Sequence, residues 1–164
     1  IDDEPLILDA VKQALQGKMI VDNALSLGMA REQIAVQAYD LLLVDLILVD
    51  SNGTATVEAL RPYATPLVVL SAVEDPEMLA AAAAAGADDY IVKTREMLTT
   101  ERLANRLRFT HARYLKRLEY ERGEMMRRAG VRGQYLGSAA FESLKPFISC
   151  AALAVGSRGP FVGG

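Results

Sequence analysis

The feature that most constrains this chain is the stretch at residues 39–53, YDLLLVDLILVDSNG. Residues 41–44 form an unbroken apolar run, the pattern of a strand buried on both faces. The run stops at a carboxylate, Asp45, and residues 50–53, DSNG, then supply turn chemistry. A strand covered on both faces belongs to a parallel sheet flanked by helices, and open sheets of that kind bind ligands beyond the carboxyl ends of their strands. Asp45 is therefore the residue around which chemistry is expected.

Similar runs recur along the chain. Residues 67–70, LVVL, end at Ser71, and residues 90–92, YIV, end at Lys93; residues 19–21, MIV, are a further short strand candidate. Helical patterns stand between them. Pro5 opens residues 6–16, which carry Ile7, Val11 and Leu15 on one face and stop at Gly17. Residues 29–37 present Ala30 and Ile34, and residues 54–61 form a short helix closed by Pro62. Asp75 and Pro76 start a helix that runs through the alanines to Gly86. Strands alternating with helices predict right-handed crossovers and an α/β fold with a doubly wound parallel sheet. Ile1 reads as the last residue of a strand that delivers Asp2 and Asp3. Strand ends along one edge of a parallel sheet converge, so Asp2, Asp3, Asp45, Ser71 and Lys93 are expected to meet.

Residues 95–122 contain neither Gly nor Pro. They predict a helix about 40 Å long at about 1.5 Å per residue, leaving the globular body as a stalk. Leu107, Tyr114, Leu118 and Met125 fall on one stripe of it, interrupted by His111, Glu121 and Arg128, which makes an imperfect coiled-coil seam. Gly130 and Gly133 break the stalk, and residues 134–164 begin something new. Residues 1–94 carry a net charge of −10 and residues 95–133 one of +6, which argues for two modules with different jobs. The basic segment reads as a solvated helix, because both signs are interspersed and no aromatic platform for nucleic acid accompanies them. Asp88 and Asp89 read as loop residues and His111 as a solvated helix position. The one cysteine, Cys150, has no internal partner, which suits a reducing cytoplasm, and no apolar run reaches the roughly 18 residues of a membrane helix.

Carboxylates gathered at one sheet edge repel one another by about 4 kcal/mol per pair at 4 Å and intermediate dielectric. A hard divalent cation relieves this, and Mg²⁺ fits because it takes a few carboxylates and keeps several waters. Asp45 could then act as a nucleophile toward phosphorus, with Lys93 offsetting charge on the phosphoryl oxygens and Ser71 donating a hydrogen bond. Taken singly, each residue has a plainer reading: a turn carboxylate, a strand-end cap, a solvated cation. Their order along the chain favours the joint one. A haloacid-dehalogenase type of enzyme expects a second aspartate two residues after the nucleophile, where Ile47 stands, and no glycine-rich dinucleotide loop is present.

These residues resemble the bacterial response-regulator receiver domain over about residues 1–110. The matching positions are the acidic pair Asp2-Asp3, Asp45 with the loop that follows it, Ser71 in VVLSA, and Lys93 in DDYIVK. The resemblance implies a flavodoxin-like (βα)5 fold with a long C-terminal helical stalk. It implies a phosphoryl group taken from a sensor histidine kinase onto Asp45, a Mg²⁺ ligated by Asp3, Asp45 and the Ile47 carbonyl, with Asp2 acting through water, and a switch through Ser71 and Tyr90. Val49 stands where the family often has proline, and Thr94 replaces the proline that usually follows the lysine through a cis bond. In the strand order 2-1-3-4-5 the first strand is interior, yet only Ile1 of it is present. The chain is thus read as lacking most of that strand and is expected to be less stable than a complete receiver.

The expected division is a receiver at residues 1–110, a helical linker at 111–133 and the start of an output domain at 134–164. The last segment, YLGSAAFESLKPFISCAALAVGSRGPFVGG, resembles the opening of an enhancer-binding AAA+ ATPase of transcriptional activators. It has no Walker lysine, so the chain is not expected to hydrolyse ATP, and as a phosphoacceptor domain it is not expected to be an enzyme. The readings kept beside this one are a pseudo-receiver that only binds proteins, and a receiver attached to a diguanylate cyclase or kinase. Self-association through the receiver face and stalk is left open, and DNA would be contacted only by regions outside this chain.

Overall fold

The chain folds around a small parallel sheet in a computed structural model that describes residues 1–99 and 101–129. In chain order the elements are α1 (Pro5–Leu15), α2 (Leu27–Val36), β1 (Leu42–Val44), β2 (Ile47–Leu48), β3 (Ser51–Asn52), α3 (Thr54–Leu60) with a 3-10 turn at Arg61–Tyr63, β4 (Leu67–Ser71), α4 (Pro76–Ala85), β5 (Asp89–Val92), α5 (Arg95–Thr99) and α6 (Glu101–Arg128). β1, β4 and β5 pair in parallel in the order β1-β4-β5, with Leu43 opposite Val68 and Val69 opposite Tyr90. β2 and β3 form a separate two-stranded antiparallel hairpin just after Asp45.

The apolar runs are explained by two cores, one on each face of the sheet. Successive strand residues point to opposite faces, so Val68 and Leu70 of β4 pack with Val11 and Leu15 of α1 and with Leu103 and Leu107 of α6. Leu67 and Val69 face the other way, onto Val57 and Leu60 of α3 and Ala82 of α4. Each strand needs apolar side chains at every position because both faces are covered. The capping signals act as expected at α4: Asp75 accepts from the Glu77 N–H at 3.0 Å, and Gly86 closes the helix at a φ of +108°. A Cβ on Gly86 would also lie 2.5 Å from Nε of Arg61, so two constraints favour glycine there.

Residues 19–21 are not a strand. A strand needs a neighbouring ladder, and residues 19–21 pair with no strand of the sheet; the bond from the Asp2 N–H to the Ala24 carbonyl, at 3.1 Å, falls past the segment. Ile1 itself lies along β1, its nitrogen donating to the Leu43 carbonyl and its carbonyl accepting from the Asp45 N–H.

The basic segment also departs from expectation. The first half of α6 belongs to the body, since Leu103, Ala104, Leu107 and Tyr114 are buried. Gly123 lies inside α6 rather than ending it. Asp88 and Asp89, expected in a loop, are the reason the helix stays down. Asp89, the first residue of β5, receives two bonds from the Arg106 guanidinium, both 2.6 Å, and one from the Thr110 hydroxyl at 2.7 Å. Asp88 pairs with Arg117 at 2.7 Å, and its carbonyl accepts from Arg113. The Tyr114 hydroxyl donates to the Ala64 carbonyl, and the Arg117 guanidinium lies over the Tyr114 ring. The charge asymmetry between head and stalk is therefore partly a docking interaction between them. The expected break at Gly130 and Gly133 and the output segment at residues 134–164 lie outside the described residues.

Burial pushes the Asp89 carboxyl up, but the bonds from Arg106, Thr110 and the Tyr90 N–H outweigh it and hold the group below the usual aspartate value. A depressed folded value contributes stability above the unfolded value of about 3.9, and that contribution is lost as pH falls through the folded one. Asp89→Asn is expected to cost about 1–2 kcal/mol, limited by the half-exposed Arg106, and to make the acid limb of the stability profile shallower. Urea melts across acidic pH check both.

Candidate functional site

The carboxyl ends of β1, β4 and β5 and the start of the chain bring Asp2, Asp3, Asp45 and Lys93 together. Ligand oxygens of the three aspartates all lie within 4.8 Å of one another. Asp2 and Asp45 are nearly covered, at 3 % and 6 % exposure. The Lys93 ammonium sits between them, 2.7 Å from Asp2 Oδ2 and 2.6 Å from Asp45 Oδ2, with Glu4 farther off at 3.8 Å. Burial would push the lysine down; its pairing with Asp2 and Asp45 prevails and holds it above its ordinary value.

Local structure fixes each group. The Asp45 N–H is tied to the Ile1 carbonyl, and its Oδ1 accepts from the Ile47 N–H at 3.2 Å, which bends the chain into the β2–β3 hairpin. Asp2 Oδ1 accepts from the Glu4 N–H at the entrance to α1. Lys93 is aligned by its N–H, which donates to the Ser71 carbonyl at 2.7 Å. Where a proline would have had no donor, the Thr94 N–H bonds the Val92 carbonyl and its hydroxyl accepts from the Met97 N–H to cap α5; no peptide bond among the described residues is cis.

A divalent cation fits this donor set. Asp2 Oδ2 is buried and makes no hydrogen bond; its nearby countercharge is Lys93, in an ion pair out of hydrogen-bonding alignment. Three hard oxygens, one of them short of partners, are the kind of ligand that Mg²⁺ takes.

Ser71 and Tyr90 meet at one peptide. The buried Ser71 hydroxyl accepts from the Val73 N–H at 3.2 Å, while the Tyr90 hydroxyl donates to the Val73 carbonyl at 2.7 Å. Sequence reasoning missed this meeting point and also missed Asp50. That residue was read as turn chemistry, but its carboxylate receives the Leu27 and Gly28 N–H groups, both at 2.8 Å, and these bonds lower its pKa. It thereby ties the hairpin beside Asp45 to the start of α2, and its place just past an apolar strand was the only available signal.

The chain belongs to the response regulator receiver domain family, which it matches over residues 1–108. It is 37% identical over 95 residues to KdpE, the KDP operon transcriptional regulatory protein of Escherichia coli, covering 57% of this chain and 42% of that protein. Its identity to the probable transcriptional regulatory protein y4xI of Sinorhizobium fredii is 32% over 102 residues, covering 60% and 44%. The chain thus spans less than half the length of these relatives. Among solved structures it is similar to a CheY-like receiver domain protein from Methanospirillum hungatei, at 26% identity and a TM-score of 0.59 over 71% of this chain and 93% of that one. The BeF3-activated receiver domain of DrrB is similar at 25% identity and a TM-score of 0.54, over 70% and 92%. The flavodoxin-like receiver fold is therefore the fold of this chain, and no described helix is long and apolar enough to cross a membrane.

Proposed function

We propose that this chain is a working phosphoacceptor, with Asp45 the acceptor, Asp2, Asp3, Asp45 and the Ile47 carbonyl the holders of Mg²⁺, and a sensor histidine kinase the donor. The observation that carries this reading is the cluster itself: three carboxylates within 4.8 Å and an ammonium 2.6 Å from the one at the end of β1. An Asp45 oxygen forms a bond to phosphorus as the bond from phosphorus to the donor's histidine nitrogen breaks. Lys93, already paired to Asp45, moves its charge onto a phosphoryl oxygen. Bound magnesium would neutralise further charge on the same oxygens.

The new group brings about −1.5 to −2 charges to the rim. Ser71, drawn toward it, releases the Val73 N–H; Val73 then shifts and the Tyr90 hydroxyl loses its acceptor. That gives two arrangements of the β4–α4 loop whose populations the phosphoryl group sets. The reported signal is a change on the face formed by α4, β5 and the helices that follow. The output it serves is transcriptional regulation, by likeness to KdpE, with residues 134–164 the start of the output domain and residues 111–133 the linker. The whole acts in the cytoplasm, with any DNA contact made outside this chain.

The test is uptake of phosphate from acetyl phosphate. One phosphoryl group per chain in Mg²⁺ and none in EDTA is expected; no uptake in either would favour a protein-binding pseudo-receiver.

A further inference from the structure

The β2–β3 hairpin has little of its own to hold its shape. Each strand is two residues long, Ile47–Leu48 and Ser51–Asn52, and the turn between them is Val49-Asp50. A two-stranded ribbon alone is marginal in water. The turn adds no stiffness: neither Val49 nor Asp50 has a positive φ, which excludes the primed turns that match the twist of the strands. Val49 also lacks the ring by which a proline would pre-set the turn. Leu48 is buried, but Ile47 is 57 % and Val49 77 % exposed, so packing anchors little of the tip. Contacts from outside must hold it. At the base, the Thr56 hydroxyl of α3 donates to Ser51 Oγ at 2.8 Å. At the tip, Asp50 reaches across to α2, and each of its carboxylate oxygens takes one N–H, from Leu27 and from Gly28.

The start of α2 is in turn connected to the acidic pair. Just before it, the Ala24 carbonyl accepts from the Asp2 N–H at 3.1 Å, and the Ile1 carbonyl accepts from the Asp45 N–H at 2.9 Å. Hydrogen bonds and short chain segments thus close a ring that runs from Asp45 through the hairpin to Asp50, on to α2 and Ala24, and back through Asp2 and Ile1. We propose that Asp50 is a positioning residue for the divalent-cation site: it closes this ring, and so holds the Ile47 carbonyl and the Asp2 segment in place relative to Asp45. The proposal rests on the reading of Asp2, Asp3, Asp45 and the Ile47 carbonyl as the holders of Mg²⁺. Asp50 itself does not touch the ion. Without its two bonds the tip is released, and ordering it again is a cost that metal binding must overcome. Groups that orient metal ligands from behind are typically worth about 10- to 100-fold in affinity.

The test is binding of Mn²⁺, an ion that takes the same oxygen ligands, followed by electron paramagnetic resonance on the whole chain. Urea melts in EDTA establish that each variant folds. Asp50→Ala removes both bonds and should weaken Mn²⁺ binding by about tenfold or more. Asp50→Asn offers a single acceptor, can keep only one bond, and should fall between Asp50→Ala and the parent. Ser26→Ala is the control. The Ser26 hydroxyl accepts from the Met29 N–H at 3.1 Å and caps the same end of α2 without touching the hairpin. Its loss should lower the urea midpoint and leave Mn²⁺ affinity near the parental value. In the Asp50 variants the Mg²⁺ concentration giving half-maximal uptake from acetyl phosphate should rise by the same factor as the Mn²⁺ dissociation constant. Parental Mn²⁺ affinity in Asp50→Ala overturns the proposal, as does a parent chain that binds no Mn²⁺. So does an equal loss in Ser26→Ala, which would make Asp50 a helix cap and nothing more. If Asp50→Ala does not fold, Asp50→Asn against Ser26→Ala decides on the same terms. A parent that binds Mn²⁺ but takes up no phosphate refutes the acceptor reading and leaves this comparison intact.

Discussion

Asp45→Asn is expected to abolish phosphate uptake while leaving the fold intact. The substitution removes the oxygen proposed as the nucleophile and replaces the carboxylate with an amide of the same shape. Oδ1 of asparagine can still accept from the Ile47 N–H, which now holds the turn into the hairpin at 3.2 Å. What changes is charge. Lys93 keeps Asp2 as a partner at 2.7 Å, so the ammonium is not stranded. The stability change should therefore stay within about 1 kcal/mol, far below the 3–5 kcal/mol that follows when one side of a buried pair is left alone. Phosphate-affinity gels and intact mass after acetyl phosphate treatment measure the first effect and urea melts the second. Persistent full uptake by the variant would move the acceptor to another residue.

Lys93→Met should produce the largest loss of stability at the site. The lysine side chain is only 4 % exposed and is the cation shared by Asp2 and Asp45. Methionine fills a similar volume but leaves two covered carboxylates facing each other with no countercharge. Removing one partner of such a pair costs about 3–5 kcal/mol. The loss should be recoverable. With the competing ammonium gone, the carboxylates should bind Mg²⁺ more tightly than in the parent chain, and saturating metal should raise the melting temperature of the variant more than that of the parent. If Mg²⁺ stabilises both equally, the aspartates do not act as one cation site. Uptake of phosphate by the variant should fall sharply even in Mg²⁺, since the phosphoryl oxygens lose Lys93.

The placing of these strand-end residues was legible in the sequence for a simple reason. Asp45, Ser71 and Lys93 each terminate an apolar run, and a residue that ends a strand buried on both faces has its position fixed by the strand. The same logic failed at residues 19–21, where the run is apolar but a strand also needs a ladder beside it, and that is not a local property. Asp88 and Asp89 were misread because their partners, Arg117 and Arg106, stand 29 and 17 residues away on α6. The usable signal was the spacing of Arg106, Thr110, Arg113, Tyr114 and Arg117, which puts a row of donors on one helical face. The hairpin after Asp45 escaped notice because two-residue strands carry no periodicity. The link from Ser71 to Tyr90 through Val73 depends on side-chain rotamers, which no pattern of residue types specifies.

The clasp between Asp88-Asp89 and α6 has a consequence for whatever is joined to that helix. Because Arg106, Arg113 and Arg117, spread over about three turns, pin the rod to the sheet, its azimuth about its own axis is set by the body. Each residue inserted downstream within a continuous helix would swing the following module by about 100° and carry it about 1.5 Å farther out. An attached effector would thus be indexed like a key on a shaft, tolerant of whole-heptad changes in length and intolerant of single-residue ones.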